Sequence, residues 1–272
     1  MSFITAVLNQ KGGTGKTTTT VNLGAALAYQ GYRTLLVDLD PQGHTTIGLG
    51  IEPEAIRESM CEVMTVPKKR IQDVAMDTYI PGLDVAPATI HLARAAEQVY
   101  TRVFREAILA QALRGLDYDF ILIDCPPSLG VLTTNSLYAC GFIIIPCQIS
   151  RYSLDGLADL LTTIDSVKNL GLEELFQENI FRILLTMFDK RNRVTNEYIL
   201  EQLKPYQDKT FRTIIMKNEA LNQAQIAQKA IFDFDPRSSG AQDYLHLTSE
   251  FLEIWRKRNN LPASPPSLQS CR

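Results

Sequence analysis

No stretch of this chain is both long and apolar enough to cross a bilayer, so a membrane-spanning helix is not expected. The first apolar run is short and leads directly into a glycine-rich segment, which does not read as a secretory leader. The five cysteines, Cys61, Cys125, Cys140, Cys147 and Cys271, show neither C-x-x-C nor histidine-flanked spacing. That argues against a zinc site or a disulfide framework and for a reduced, cytoplasmic setting. Cys125 reads as a small buried residue rather than a redox switch. His44, His91 and His246 are too scattered to form a metal centre. The formal net charge of −3 speaks against a strongly basic nucleic-acid binder. There is no internal repeat, and the only biased segment is a Pro- and Ser-rich tail at 259–272, expected to be disordered.

What the chain does have is concentrated near its start. Asn9 to Thr18 reads N-Q-K-G-G-T-G-K-T-T, between an apolar run (Phe3 to Leu8) and a helical pattern from Thr17 to about Tyr29. Strand, glycine-rich turn and helix form the context in which a phosphate-binding loop carries meaning. Gly12, Gly13 and Gly15 free the backbone to present N–H groups, with those of Thr14 and Thr18, to phosphate oxygens. Lys16 supplies a point charge near the β- and γ-phosphates, and Thr17 a hydroxyl for Mg²⁺. The helix that begins there aims its positive end at the anion. The usual pattern has glycine where Gln10 stands, and here a second lysine, Lys11, follows it. Lys11 is awkwardly placed for its own phosphates but suited to reach a nucleotide held by a second copy.

Two further strand-like runs end in acids. Arg33 to Asp38 leads into Asp38-Leu39-Asp40-Pro41-Gln42-Gly43, and Phe120 to Asp124 into Cys125-Pro126-Pro127. Asp124 is expected to hold Mg²⁺ opposite Thr17, with Asp38 a further metal candidate. Asp40, just past a strand end, is placed to orient an attacking water. Strand-like runs near 3–8, 33–38, 83–86, 119–124, 141–146, 180–187 and 210–216 alternate with helical stretches. This predicts one α/β domain over 1–258, with a mostly parallel twisted sheet flanked by helices on both faces.

In order and spacing these motifs resemble the ParA/MinD family of deviant Walker A ATPases, with Lys11 as the signature lysine. Asp38 to Gly43 is similar to that family's switch I and Phe120 to Pro127 to its Walker B strand. Ser153 to Leu157, Ile183 to Arg191 and Phe232 to Ala241 resemble the ParA branch, so the likeness covers most of residues 2–256. The resemblance implies a P-loop NTPase fold and slow, partner-stimulated ATP hydrolysis with Mg²⁺. It further implies an ATP-sandwich homodimer in which Lys11 of each copy touches the other's phosphates. It places Asp189, Met216 and Pro236 near the adenine.

The resemblance leaves three settings open: DNA partition with a ParB-like adaptor, positioning of a protein cargo such as carboxysomes, and MinD-like membrane binding. Residues 181–260 carry 13 Lys+Arg against 10 Asp+Glu, while the rest of the chain is net acidic. Lys190, Arg191, Arg193, Arg212 and Lys217, together with Lys204 and Lys209, form a candidate phosphate-tracking patch for nonspecific DNA. Lys217 lies where ParA relatives carry a basic residue implicated in DNA contact, which would make the protein nucleoid-associated. A last helix, about Tyr244 to Arg258, ends in Trp255-Arg256-Lys257-Arg258, but its apolar spacing reads as core packing rather than a membrane anchor. The phosphate loop begins too early for a preceding DNA-binding extension. Asn222 to Ala230 departs from the S-E-A-P-S-x-G-x-P pattern of relatives, and the loss of Pro and Gly predicts a continued helix. A metabolic ligase on the same scaffold would need a small-molecule carboxylate site and no signature lysine.

Overall fold

The computed structural model describes residues 2–148, 155–168 and 180–261. Among these residues eight strands are seen: β1 (Phe3–Val7), β2 (Thr34–Asp38), β3 (Met76–Asp77), β4 (Leu83–Ala86), β5 (Phe120–Asp124), β6 (Phe142–Gln148), β7 (Phe181–Phe188) and β8 (Thr210–Met216). They form one sheet in the order β3-β4-β2-β5-β1-β6-β7-β8. Every neighbouring pair is parallel except β3 with β4. Seven of these strands match apolar runs in the sequence. The eighth, β3, spans two residues on an edge, too short to show any periodicity.

The central strands are buried on both faces, which is why they read as continuous apolar runs rather than alternating ones. The period-2 geometry of a strand still sorts their side chains. Ala6 and Leu8 enter the core on one side of the sheet, and Val7 the core on the other.

Helices cover both faces: α1 (Lys16–Tyr29), α2 (His44–Gly48), α3 (Met60–Thr65), α4 (Leu92–Tyr100), α5 (Ile108–Ala112), α6 (Val131–Ala139), α7 (Asp155–Lys168), α8 (Arg193–Leu203), α9 (Glu219–Ile226), α10 (Ile231–Phe234) and α11 (Ser239–Arg258). Helix α1 lies close on β2: a Cβ at Gly24 would stand 2.6 Å from Leu36 Cδ2, so glycine sets the approach. Helix α11 packs along α1 and β8, with Leu247, Phe251 and Leu252 buried. Its Trp255 ring centroid lies 5.0 Å from that of Phe120 and 5.8 Å from that of Tyr32. The C-terminal aromatic is therefore part of the core wall.

Two expectations need correction. Helix α11 starts at Ser239 rather than near Tyr244, because Ser238 caps it by accepting from the Ala241 N–H at 3.2 Å. The helix expected through Asn222–Ala230 stops at Ile226, and Gln228 turns with φ 53°. Tertiary partners capture the chain there: Ala230 N–H donates to Tyr79 Oη and Ile231 N–H to Asn22 Oδ1, each at 2.7 Å. Ser153 and Leu154 of the Ser153 to Leu157 segment, and the tail beyond Leu261, lie outside the described residues.

Candidate functional site

The sheet order puts β1 between β5 and β6, so the loop leaving β1 opens at the centre of the strands' carboxyl edge. Gly15 ends that loop with φ 88° and is the N-cap residue of α1. A side chain there would be strained, and glycine leaves the first-turn N–H groups facing the cleft. The loop is braced from two sides. Asn9 Nδ2 donates to Pro146 O at 2.7 Å, while its Oδ1 accepts from Lys11 N–H at 3.0 Å. Thr186 Oγ1 donates to Thr14 O at 2.8 Å. Lys16 is only 8% exposed, and its ammonium donates to Lys11 O at 3.3 Å. Burial lowers its pKa, and the nearby charge of Asp124 opposes that shift.

The acids gather at the ends of β2 and β5. Thr17 Oγ1 and Thr45 Oγ1 both donate to Asp124 Oδ2 at 2.7 Å. Asp124 Oδ1 is buried and accepts no hydrogen bond from the described residues. A buried carboxylate oxygen without a donor, beside the Thr17 hydroxyl, fits a hard cation and its waters. Asp38 differs, since both its oxygens are engaged. Oδ2 accepts from Thr46 N–H at 2.9 Å and Thr46 Oγ1 at 2.7 Å, and Oδ1 accepts from Asp40 N–H at 3.2 Å. Asp124, not Asp38, keeps the open oxygen, and Asp38 ties α2 and the Asp40 turn to the sheet. Asp40 itself is half-buried and accepts from Gln42 N–H at 3.0 Å.

A cavity of about 540 Å³ is lined by Gly12, Gly13, Lys16, Thr17 and Thr18. Asp40, His44, Gln225 and Lys229 also line it. His44 is exposed and begins α2. A second cavity, about 210 Å³, adjoins it through Gly15, Thr18 and Met187, and Asp189 and Met216 line it. Pro236, expected with those two, is exposed between α10 and α11 and lines neither cavity.

The basic residues divide. Arg191 closes a two-pronged pair on Asp189, with Nη2 to Oδ2 at 2.6 Å and Nε to Oδ1 at 2.9 Å. Arg212 reaches Glu253 at 2.6 Å and Glu250 at 3.4 Å. Lys204 pairs with Glu201 at 2.6 Å, and Lys209 is buried. Lys190 and Arg193 are exposed around the start of α8, and Lys217 is exposed at the mouth of the smaller cavity. Sequence reading missed Thr45, Thr46 and Gln225. A Thr-Thr pair six residues past Leu39 carried the signal for the first two, but a hydroxyl's partner depends on how α2 folds back. Gln225 carried none.

Among the described residues no helix is long and apolar enough to cross a membrane. The AAA_31 family model, described as an AAA domain, matches residues 2–177. The chain is 44% identical over 252 residues to the sporulation initiation inhibitor protein Soj of Bacillus subtilis (strain 168), covering 92% of this chain and 98% of that protein. It is 40% identical over 264 residues to the chromosome partitioning protein ParA of Myxococcus xanthus (strain DK1622), covering 96% and 90%. Among solved structures, cobyrinic acid a,c-diamide synthase from Mycobacterium smegmatis with bound ADP and magnesium matches at a TM-score of 0.79 and 33% identity. That match covers 98% of this chain and 100% of that one. The chain belongs to the ParA/MinD family of deviant Walker A ATPases, in the branch of Soj and ParA.

Proposed function

We propose that this protein is a partition ATPase that dimerises around ATP and Mg²⁺, binds DNA without sequence preference, and segregates or positions a cargo through a ParB-like adaptor. The observation that carries the reading is the phosphate loop with two lysines. Lys16 is buried beneath it beside the Asp124 carboxylate, and Lys11 stands at its mouth. One lysine serves the chain's own nucleotide, and the other serves the phosphates of a second copy.

The chemistry follows from the groups around the cavity. Loop N–H groups and Lys16 hold the phosphates, and Thr17 and Asp124 hold a magnesium ion, which neutralises phosphate charge. Asp40, which lines the same cavity, orients the attacking water. Asp189 and Met216 border the cavity proposed for the base. Lys190, Arg193 and Lys217 are exposed and supply phosphate contacts to DNA, doubled in the dimer. The partition names of the Soj and ParA relatives support the same reading. The synthase name of the M. smegmatis relative points elsewhere, but Lys11 speaks against a metabolic ligase.

The test is binding of Asp40→Ala protein to a nonspecific DNA duplex with ATP and with ADP across a salt series, beside sedimentation with anionic liposomes. DNA binding that needs ATP and weakens steeply with salt is expected. Liposome binding without DNA binding would move the protein to a MinD-like role, and binding to neither would overturn the partition reading.

A further inference from the structure

Helix α9 spans the distance between the two cavities and touches both. Its N-cap, Asn218, lines the smaller one and accepts from Ala220 N–H at 2.8 Å. Near its other end Gln225 lines the larger one and donates through Nε2 to Thr18 Oγ1 at 2.5 Å. Thr18 lines both cavities. The helix is held in this position by packing: Leu221 and Ala224 are buried, and Leu221 Cγ lies 2.8 Å from where a Gly240 Cβ would be. The turn after it is pinned to α1 by the bond from Ile231 N–H to Asn22 Oδ1.

A threonine hydroxyl has one proton and two lone pairs. With the Gln225 amide occupying a lone pair, the Thr18 proton must point elsewhere. Among the described residues Thr18 Oγ1 donates to no acceptor, and Thr14 O, one turn back, takes its hydroxyl bond from Thr186 Oγ1 instead. The direction left open is the cleft where the first turn of α1 presents its N–H groups. A donor fixed in that direction before the ligand arrives needs no reorganisation on binding.

We propose that Gln225 is a positioning residue for the nucleotide: it sets the rotor of Thr18 so that the hydroxyl donates to a phosphate oxygen, and thereby couples α9 to occupancy of the phosphate loop. This rests on the nucleotide-binding reading above. A carboxylate at 225 would do the reverse, drawing the Thr18 proton toward itself and away from the phosphates.

The test is a double-mutant cycle in affinity for a fluorescent ATP analogue with Mg²⁺, using wild type, Gln225→Met, Thr18→Val and the double variant. Melting temperatures are measured alongside, and Thr18→Ser serves as a folded control that keeps the hydroxyl. Loss of one net hydrogen bond predicts binding about three- to tenfold weaker for Gln225→Met. The double variant is expected to bind no more weakly than Thr18→Val alone, and Gln225→Glu more weakly than Gln225→Met. Wild-type affinity in Gln225→Met, or losses that simply multiply in the double variant, would overturn the inference while leaving the nucleotide reading intact. Failure of the wild type itself to bind the analogue would overturn both.

Discussion

Asp38 and Asp124 are register partners at the carboxyl ends of β2 and β5, and both carboxyl groups are fully buried. Desolvation is the larger cause and their mutual repulsion the next in pushing Asp38 up, to about 8. Asp124 is also pushed up by burial, against the bonds it accepts from Thr45 and Thr17. Two acids placed edge to edge in a dry sheet favour the neutral form of Asp38. A cation at Asp124 would take over the task of offsetting that charge.

The first prediction concerns stability against pH in metal-free buffer. An acid whose folded pKa lies above its unfolded value of 3.8 stabilises the fold while it stays protonated. That contribution is fully present below about pH 4 and is lost as pH rises through about 8. Melting temperature should therefore fall between pH 5.5 and 8.5, with a shallower slope in Asp38→Asn. A wild-type slope unchanged in that variant would contradict the raised pKa of Asp38.

Glu250, 9% exposed, is a structural carboxylate. It accepts from Arg212 N–H at 2.8 Å, Thr213 N–H at 3.0 Å and Thr213 Oγ1 at 2.9 Å, so it caps two consecutive N–H groups where β8 leaves its regular register. Glu250→Ala strands these donors at a sheet edge and should cost about 2–4 kcal/mol in urea unfolding. Glu250→Gln, which keeps an acceptor oxygen, should cost less.

The two lysines of the phosphate loop separate by assay. Lys16→Ala should weaken ATP binding by about 10- to 100-fold, the worth of a charge-assisted bond. Lys11→Ala should bind ATP close to the wild-type level and lose hydrolysis that depends on protein concentration. Normal, partner-responsive hydrolysis by Lys11→Ala would remove the role of Lys11 across the dimer.

The basic patch makes a sharper claim than its charge count. Lys190→Ala, Arg193→Ala and Lys217→Ala should each reduce the slope of log affinity for DNA against log salt by about 1. Arg191→Ala and Arg212→Ala should change it little, because those guanidinium groups already face Asp189, Glu250 and Glu253. A salt titration of all five variants on one duplex distinguishes the groups.

Much of the architecture was legible in residue order. Seven strands and the phosphate loop stand out because buried parallel strands must be continuously apolar, and because a phosphate-binding turn admits few residue types. The limits of the final helix were less legible. Its true start depends on the Ser238 cap, while the apolar spacing that marks the helix becomes regular only further on. Pro236 was placed beside the base by likeness alone, and it lines neither cavity.

The sequence by itself determined the chemistry available to this protein: a loop with two lysines, acids at strand ends, and apolar runs that fold into one sheet. These are local properties, set by backbone freedom, side-chain type and period. Tertiary structure decided how those groups are shared. It left Asp124 an open oxygen while saturating Asp38, paired Arg191 and Arg212 but exposed Lys190, Arg193 and Lys217, and brought Gln225 to Thr18. The Arg191 pair with Asp189 and the bonds to Asp38 are local in sequence, but Thr17 with Asp124, Arg212 with Glu250 and Glu253, and Gln225 with Thr18 join residues far apart in the chain, and only the packing of helices on the sheet fixes such distances.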